Sequence, residues 1–281
     1  MRPWSGRSLL ADQARLRVGG LLAGCAIIVV VLGVLFAGQG TADPFDRAVG
    51  SPVITWLAGR QTLALWLAYP ATLVPAGGAS LIAALVCLAR GWLRGAALAL
   101  LAVPVASGLN DAFLTHLFHR TYLGVLTYPS GHAAAAAALA MSLTILLLLA
   151  PRPATHPADP ATHPAASAAQ PPAPVTPPDP DRQPPPRLPA VLRWAIPAVA
   201  WLAVVVVAVG VIGLRWHYVT DTIGGAALGT GTACALALIL DLSWPRSGRH
   251  PLDASRSRRA APQPGSAPGG RRWSRSGPGT S

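Results

Sequence analysis

A chain of 281 residues could hold one or two soluble domains, but 52% hydrophobic and 11% charged residues exclude an ordinary soluble protein, in which charged residues make up about 25%. The formal charge of +12 comes from 22 Arg set against 10 Asp, with no Lys and no Glu. No nucleic-acid-reading module accompanies that charge. Most Arg lies beside apolar runs or in the C-terminal tail, a pattern that suits anionic lipid headgroups rather than nucleic acid.

About 20 mostly apolar residues carry a helix across a bilayer, and six such runs recur. The first spans about Val18 to Ala37. It exceeds the apolar stretch of a signal peptide, so it reads as an uncleaved anchor behind a cytoplasmic N-terminus of residues 1–17. The second runs from about Thr62 to Leu88 and contains Pro70, Pro75 and Gly77-Gly78, which predict a kink or close packing. A third begins near Trp92 and ends between Leu109 and Leu117. The fourth covers about His132 to Ala150, the fifth Val191 to Leu214 and the sixth Thr222 to Leu240. Each must satisfy its own backbone in lipid, so the fold class is all-α: a polytopic membrane protein built as a helical bundle over residues 18–240.

Residues 151–189, rich in Pro, Ala and Thr, read as a disordered insertion in which His156 and His163 are inert. Residues 241–281 read as a disordered basic tail along the inner leaflet. Placing the N-terminus inside puts 18 of the 22 Arg on the cytoplasmic side, which predicts that both termini are cytoplasmic. Cys25, Cys87 and Cys234 lie inside apolar runs without metal-type spacing and read as small buried hydrophobes. The carboxylates are too few and scattered for a cation cage, so neither metal nor cofactor is expected.

Two polar islands, Phe118 to His132 and Arg215 to Asp221, fall at the outer boundary on this topology. In the first, Pro129 cannot continue a helix and Ser130 is a good N-cap. The helix that follows turns unpaired amides and a positive dipole end toward one spot, which suits phosphate. Gly131 permits close approach of a ligand, and His132 beside it could protonate a leaving oxygen. An ordinary capped helix start is the plainer alternative. In the second island, His217 and Asp221 are four residues apart and would share a face on one helical turn. A carboxylate on one imidazole nitrogen fixes the tautomer and frees the other to attack phosphorus. The alternative there is a pair that only anchors a helix end. Asp111, ending the third span, is an intramembrane carboxylate; ionised, it would repel phosphate, which favours a structural hydrogen bond.

The strings YPSGH at Tyr128 to His132 and HYVTD at His217 to Asp221, with Gly224-Gly225 after them, resemble the motifs of the type 2 phosphatidic acid phosphatase superfamily. The resemblance covers about Trp92 to Leu240. It implies a helical-bundle phosphatase core with His217 as nucleophile, Asp221 as its orienting partner and His132 as general acid. Ser130 and Gly131 would bind phosphate oxygens. The chain departs from the family pattern in having no first-motif Lys (Phe113 or Thr115 stands there), Thr121 in place of Pro after Arg120, and Val211 at the third-motif Arg. Arg120 and Arg215 are therefore the cations expected at the phosphate, with His116 and His119 as possible helpers.

The expected activity is hydrolysis of a lipid phosphate or polyprenyl diphosphate in the cell membrane, through a phosphohistidine at the extracytoplasmic face. Phosphate transfer to another acceptor, and a non-catalytic phosphatase-like protein, stand as alternatives. Membrane lipids are the expected surroundings. The sequence does not fix the oligomeric state.

Overall fold

The computed structural model describes residues 8–151 and 189–243. The expectations for the Pro-rich insertion and the basic tail, including His156 and His163, lie outside the described residues. In chain order the elements are α1 (Asp12–Phe36), α2 (Pro44–Leu57), α3 (Gln61–Ala68), a 3-10 turn (Tyr69–Ala71), α4 (Leu73–Ala89) and α5 (Leu93–Leu109). A π turn (Asn110–Leu114) leads into α6 (Thr115–Phe118), and β1 (Thr121–Tyr122) and β2 (Val125–Leu126) follow. Helix α7 (Gly131–Thr144) ends in a second π turn (Ile145–Leu149), and α8 (Ala190–Gly213) and α9 (Val219–Ser243) complete the described chain.

Six segments are long and apolar enough to cross a membrane: Asp12–Phe36, Gln61–Ala89, Leu93–Phe118, Gly131–Leu149, Ala190–Gly213 and Val219–Ser243. The molecule is an all-α, multi-pass membrane protein. The second span breaks at Tyr69–Ala71, where Pro70 removes a backbone donor from the helix. Between the first two spans lies α2, an element the apolar runs do not announce. Asp43 caps it by accepting from the amides of Phe45 and Asp46, and Pro44 occupies its first turn. At 14 residues it is too short to span the bilayer.

Helix α9 is the axis of the bundle: most of its residues are buried, whereas the outer face of α1 exposes Ile27, Val30 and Val34. Such faces suit lipid contact, because every backbone group of a long helix is already paired. Small residues let α7 and α9 approach backbone to backbone. A Cβ at Gly225 would overlap the Ser130 carbonyl oxygen, and one at Gly229 would overlap the Ala134 carbonyl oxygen. Ser130 thus pairs with Gly225 and Ala134 with Gly229, so the two helices run parallel and begin at the same end. Cys25, Cys87 and Cys234 are all buried.

At the far end, Asp241 of α9 gathers three partners. Arg15 donates through Nε and Nη2 at 2.9 and 2.7 Å, Arg94 through Nη1 at 3.2 Å, and the Leu9 amide at 2.8 Å. This cluster joins α1, α5 and α9 where the apolar core gives out.

Gly229→Val is expected to lower the thermal midpoint in detergent by the equivalent of about 2 kcal/mol or more, because α7 would have to move away. Gly24→Ala, where an added methyl meets nothing within 4 Å, should leave the midpoint unchanged.

Candidate functional site

The segment between α6 and α7 reverses through a two-residue hairpin. Leu123 and Gly124 both take positive φ, 50° and 81°, as a type I′ turn requires, and Thr121 pairs with Leu126. The turn brings Arg120 and Thr127 opposite each other, with the Thr127 amide donating to the Arg120 carbonyl at 2.9 Å. Tyr128 then packs edge-on to Phe118 and donates its hydroxyl to the Val29 carbonyl at 2.7 Å. The Ser130 amide donates to the Asp221 carbonyl at 3.0 Å. The second polar island enters α9 only at Val219, so His217 and Tyr218 precede the helix.

A cavity of about 410 Å³ opens at this end of the bundle. Gly131 and His132 at the start of α7 line it, as do His217, Thr127, and Asn110 and Asp111 of the π turn. The amides of Gly131 and His132 have no acceptor among the described residues, and Ser130 Oγ caps α7 by accepting from the Ala133 amide at 3.5 Å. The rings of His132 and His217 lie 6.5 Å apart between centroids, and Trp216 packs against His132 at 5.6 Å.

His217 Nδ1 lies 2.9 Å from the Thr127 carbonyl oxygen. A carbonyl only accepts, so the contact requires Nδ1–H and leaves Nε2 with its lone pair. Burial pushes the imidazole down to about 4, reinforced by the nearby His132 and opposed by the Thr127 carbonyl. His217 is therefore neutral at pH 7, in the tautomer a nucleophile needs.

Asp221 is placed differently from the sequence expectation. Its Oδ2 is 4.0 Å from His217 Nδ1, beyond hydrogen-bond range. Because His217 stands outside α9, the two residues do not share a helical turn. The Asp221 oxygens are engaged elsewhere: Oδ2 accepts from the Tyr218 amide at 2.9 Å and Oδ1 from Arg120 Nη1 at 2.7 Å.

Arg120 is fully buried and does not line the cavity. Its Nη2 donates to Asp46 of α2 at 2.6 Å, and its Nη1 donates to Thr220 Oγ1 at 2.6 Å as well as to Asp221. The guanidinium also packs over the rings of Phe36 and Tyr218 at 4.3 and 4.5 Å. Asp46 in turn accepts from the Thr220 amide at 2.9 Å and from its hydroxyl. Here the cation expected at the phosphate closes a buried Asp–Arg–Asp cluster. Arg215 is exposed, with φ of 59°, and lines no part of the cavity.

The site thus gathers His132, His217 and Gly131 at one cavity. Ser130 and Asp221 lie behind its wall, and Arg120 and Arg215 lie away from it. Asp46, Thr127, Thr220 and Asn110 have roles that their sequence context does not signal. Among the described residues, no group of three or more His, Cys or Asp side chains is placed to hold a metal ion.

Six apolar spans with two histidines lining a cavity at a helix start define an integral membrane protein with a histidine-lined site. The sequence matches the PAP2 superfamily over residues 16–244, most of the chain, and the protein belongs to that superfamily. Membership places it among phosphatases acting on phosphate esters. No curated protein and no solved structure matches it.

Arg120→Gln leaves two buried carboxylates without their cation, so the thermal midpoint in detergent should drop by the equivalent of about 3 kcal/mol. An unchanged midpoint, with only the substrate KM raised, would instead make Arg120 a substrate ligand.

Proposed function

We propose that the protein is a membrane phosphatase for lipid phosphates or polyprenyl diphosphates, working through a phosphohistidine on His217. The observation that carries this is the His217 tautomer: a backbone carbonyl holds Nδ1–H and leaves a neutral Nε2 at the cavity that the first turn of α7 also lines.

The phosphate sits at the unpaired amides of Gly131 and His132, where the positive end of the α7 dipole favours an anion. Nε2 of His217 attacks phosphorus as the P–O bond to the lipid breaks, and His132 gives its proton to the leaving oxygen. A water, deprotonated by His132, then attacks the phosphohistidine and breaks the P–N bond. Inorganic phosphate leaves and both histidines return to their starting states. These steps call on side chains and water alone, so the reaction is proposed to be metal-independent.

The lipid substrate follows from the setting, since a cavity at the end of a membrane bundle can take a headgroup while the tail stays in the bilayer. The Arg distribution, 18 of 22 on one side, supports cytoplasmic termini and an extracytoplasmic site. A non-catalytic, phosphatase-like protein is the second reading, favoured by the lack of any arginine lining the cavity among the described residues.

The test is phosphate release from a panel of lipid phosphates in detergent with EDTA present. His217→Ala should reduce release to background. His132→Ala should slow it by about 10²–10⁴-fold, the usual range for a general acid. No release from any substrate by the folded wild type would leave the non-catalytic reading. The pH dependence follows from both histidines: His132 must carry a proton to act as the acid, so kcat/KM should rise as pH is lowered from neutral, and protonation of His217 blocks its lone pair, so kcat/KM should be lost as pH falls through about 4. An acid limb centred near 6.5 would show instead that His217 titrates as an ordinary imidazole.

A further inference from the structure

Helix α8 ends at Gly213, four residues before His217, in a tightly bonded cap. The Arg215 amide donates to the Ile212 carbonyl at 2.9 Å, and the Trp216 amide to the Val211 carbonyl at 3.0 Å. With Leu214 as the cap residue, this is the paired bonding of a Schellman motif, which sets a left-handed residue just past the helix. Glycine is usual there, yet Arg215 holds the position at φ of 59°. The turn is kept against that preference, and what it fixes is the backbone of Trp216.

Trp216 is 43% exposed, and its ring centroid lies 5.6 Å from that of His132 at an interplanar angle of 43°. The next residue, His217, meets the same ring at 6.5 Å. His132 makes no hydrogen bond to another side chain or carbonyl among the described residues. Its backbone is fixed as the second residue of α7, but the torsion that turns an imidazole about its last bond is broad and roughly two-fold. No described hydrogen bond therefore selects which ring nitrogen faces the cavity. Packing has to do so, and the large flat side chain in contact is the indole of Trp216. An exposed tryptophan at a helix end also suits a membrane interface, but that role requires no contact with His132.

We propose that Trp216 is the positioning residue for His132, its indole holding the imidazole at the angle from which a proton reaches the leaving oxygen. The proposal rests on the phosphatase reading above, in which His132 is the acid, and adds a residue that acts through it. In the step concerned, Nε2 of His217 bonds to phosphorus, the P–O bond to the lipid breaks, and the proton of His132 goes to that oxygen as the alcohol leaves. The more easily a leaving group bears negative charge, the less that proton matters. Loss of the indole is therefore felt by a lipid alcohol and not by a nitrophenol.

The experiment measures kcat/KM, which covers formation of the phosphohistidine, using full-length protein in mixed micelles. The substrates are a long-chain alkyl phosphate and the phosphate of a nitrophenol bearing the same chain. Trp216→Ala should lower the value about tenfold for the alkyl ester, part of the roughly 10²–10⁴-fold that a general acid supplies. The aryl ester should be unaffected, and so serves as the folding control. In a His132→Ala background, Trp216→Ala should cost the alkyl ester nothing further, because residues that act as one unit are not additive. Trp216→Phe, which keeps a flat face, should recover most of the loss. No loss for the alkyl ester, an equal loss for both esters, or the same loss with and without His132 would overturn the proposal and leave the phosphatase intact. Full activity of His132→Ala on the alkyl ester, or no phosphate released from either ester by the folded wild type, would overturn the proposed chemistry and the role of Trp216 with it.

Discussion

The site end of the bundle depends on one buried cation. Arg120 reaches Asp46 on α2 with one terminal nitrogen and Thr220 and Asp221 on α9 with the other. Removing three charges from water is costly, and the arrangement holds because nearly every lone pair it buries meets a donor. Its influence passes along the backbone as well. The Arg120 carbonyl receives the Thr127 amide across the hairpin, and the Thr127 carbonyl receives Nδ1–H of His217. A side chain that never reaches the cavity thus fixes, in two steps, the imidazole that does.

This division separates structure from chemistry more sharply than the paired motif residues suggest. Asp221 spends its oxygens on Arg120 and on the start of α9. The imidazole is oriented by a neutral carbonyl instead of a carboxylate. Orientation and tautomer are preserved by that exchange, since either acceptor demands Nδ1–H. Charge stabilisation is not: in the proposed attack on phosphorus, a carbonyl would offer less than a carboxylate to an imidazole turning positive, and the proposed chemistry would lean correspondingly more on the amides of α7.

The six spans were legible because a bilayer imposes a length and a polarity that few other environments demand. Breaks at Pro70 and caps at Ser130 were legible because proline and serine act on the backbone locally. His132, Gly131 and His217 reached one cavity because two crossings separate their motifs. What the sequence could not convey is direction. Nothing in the string around Arg120 says that its guanidinium turns toward α2, because its partner, Asp46, is 74 residues away on a short helix without an apolar signature. The hairpin was hidden for a related reason, since Leu123 is an unusual residue at positive φ.

The close parallel packing of α7 and α9 has an electrostatic consequence. Parallel helices set their positive ends together, each equivalent to roughly half an elementary charge. At α9 that charge is already answered, because Asp46 takes the Thr220 amide and Asp221 the Tyr218 amide. At α7 only the Ala133 amide is taken, by a neutral hydroxyl, and the field of the helix remains unspent. The glycines that let the two backbones touch therefore also bring an open dipole within a few ångströms of a closed one. An anion entering the cavity meets an open attractive pole at the mouth of α7.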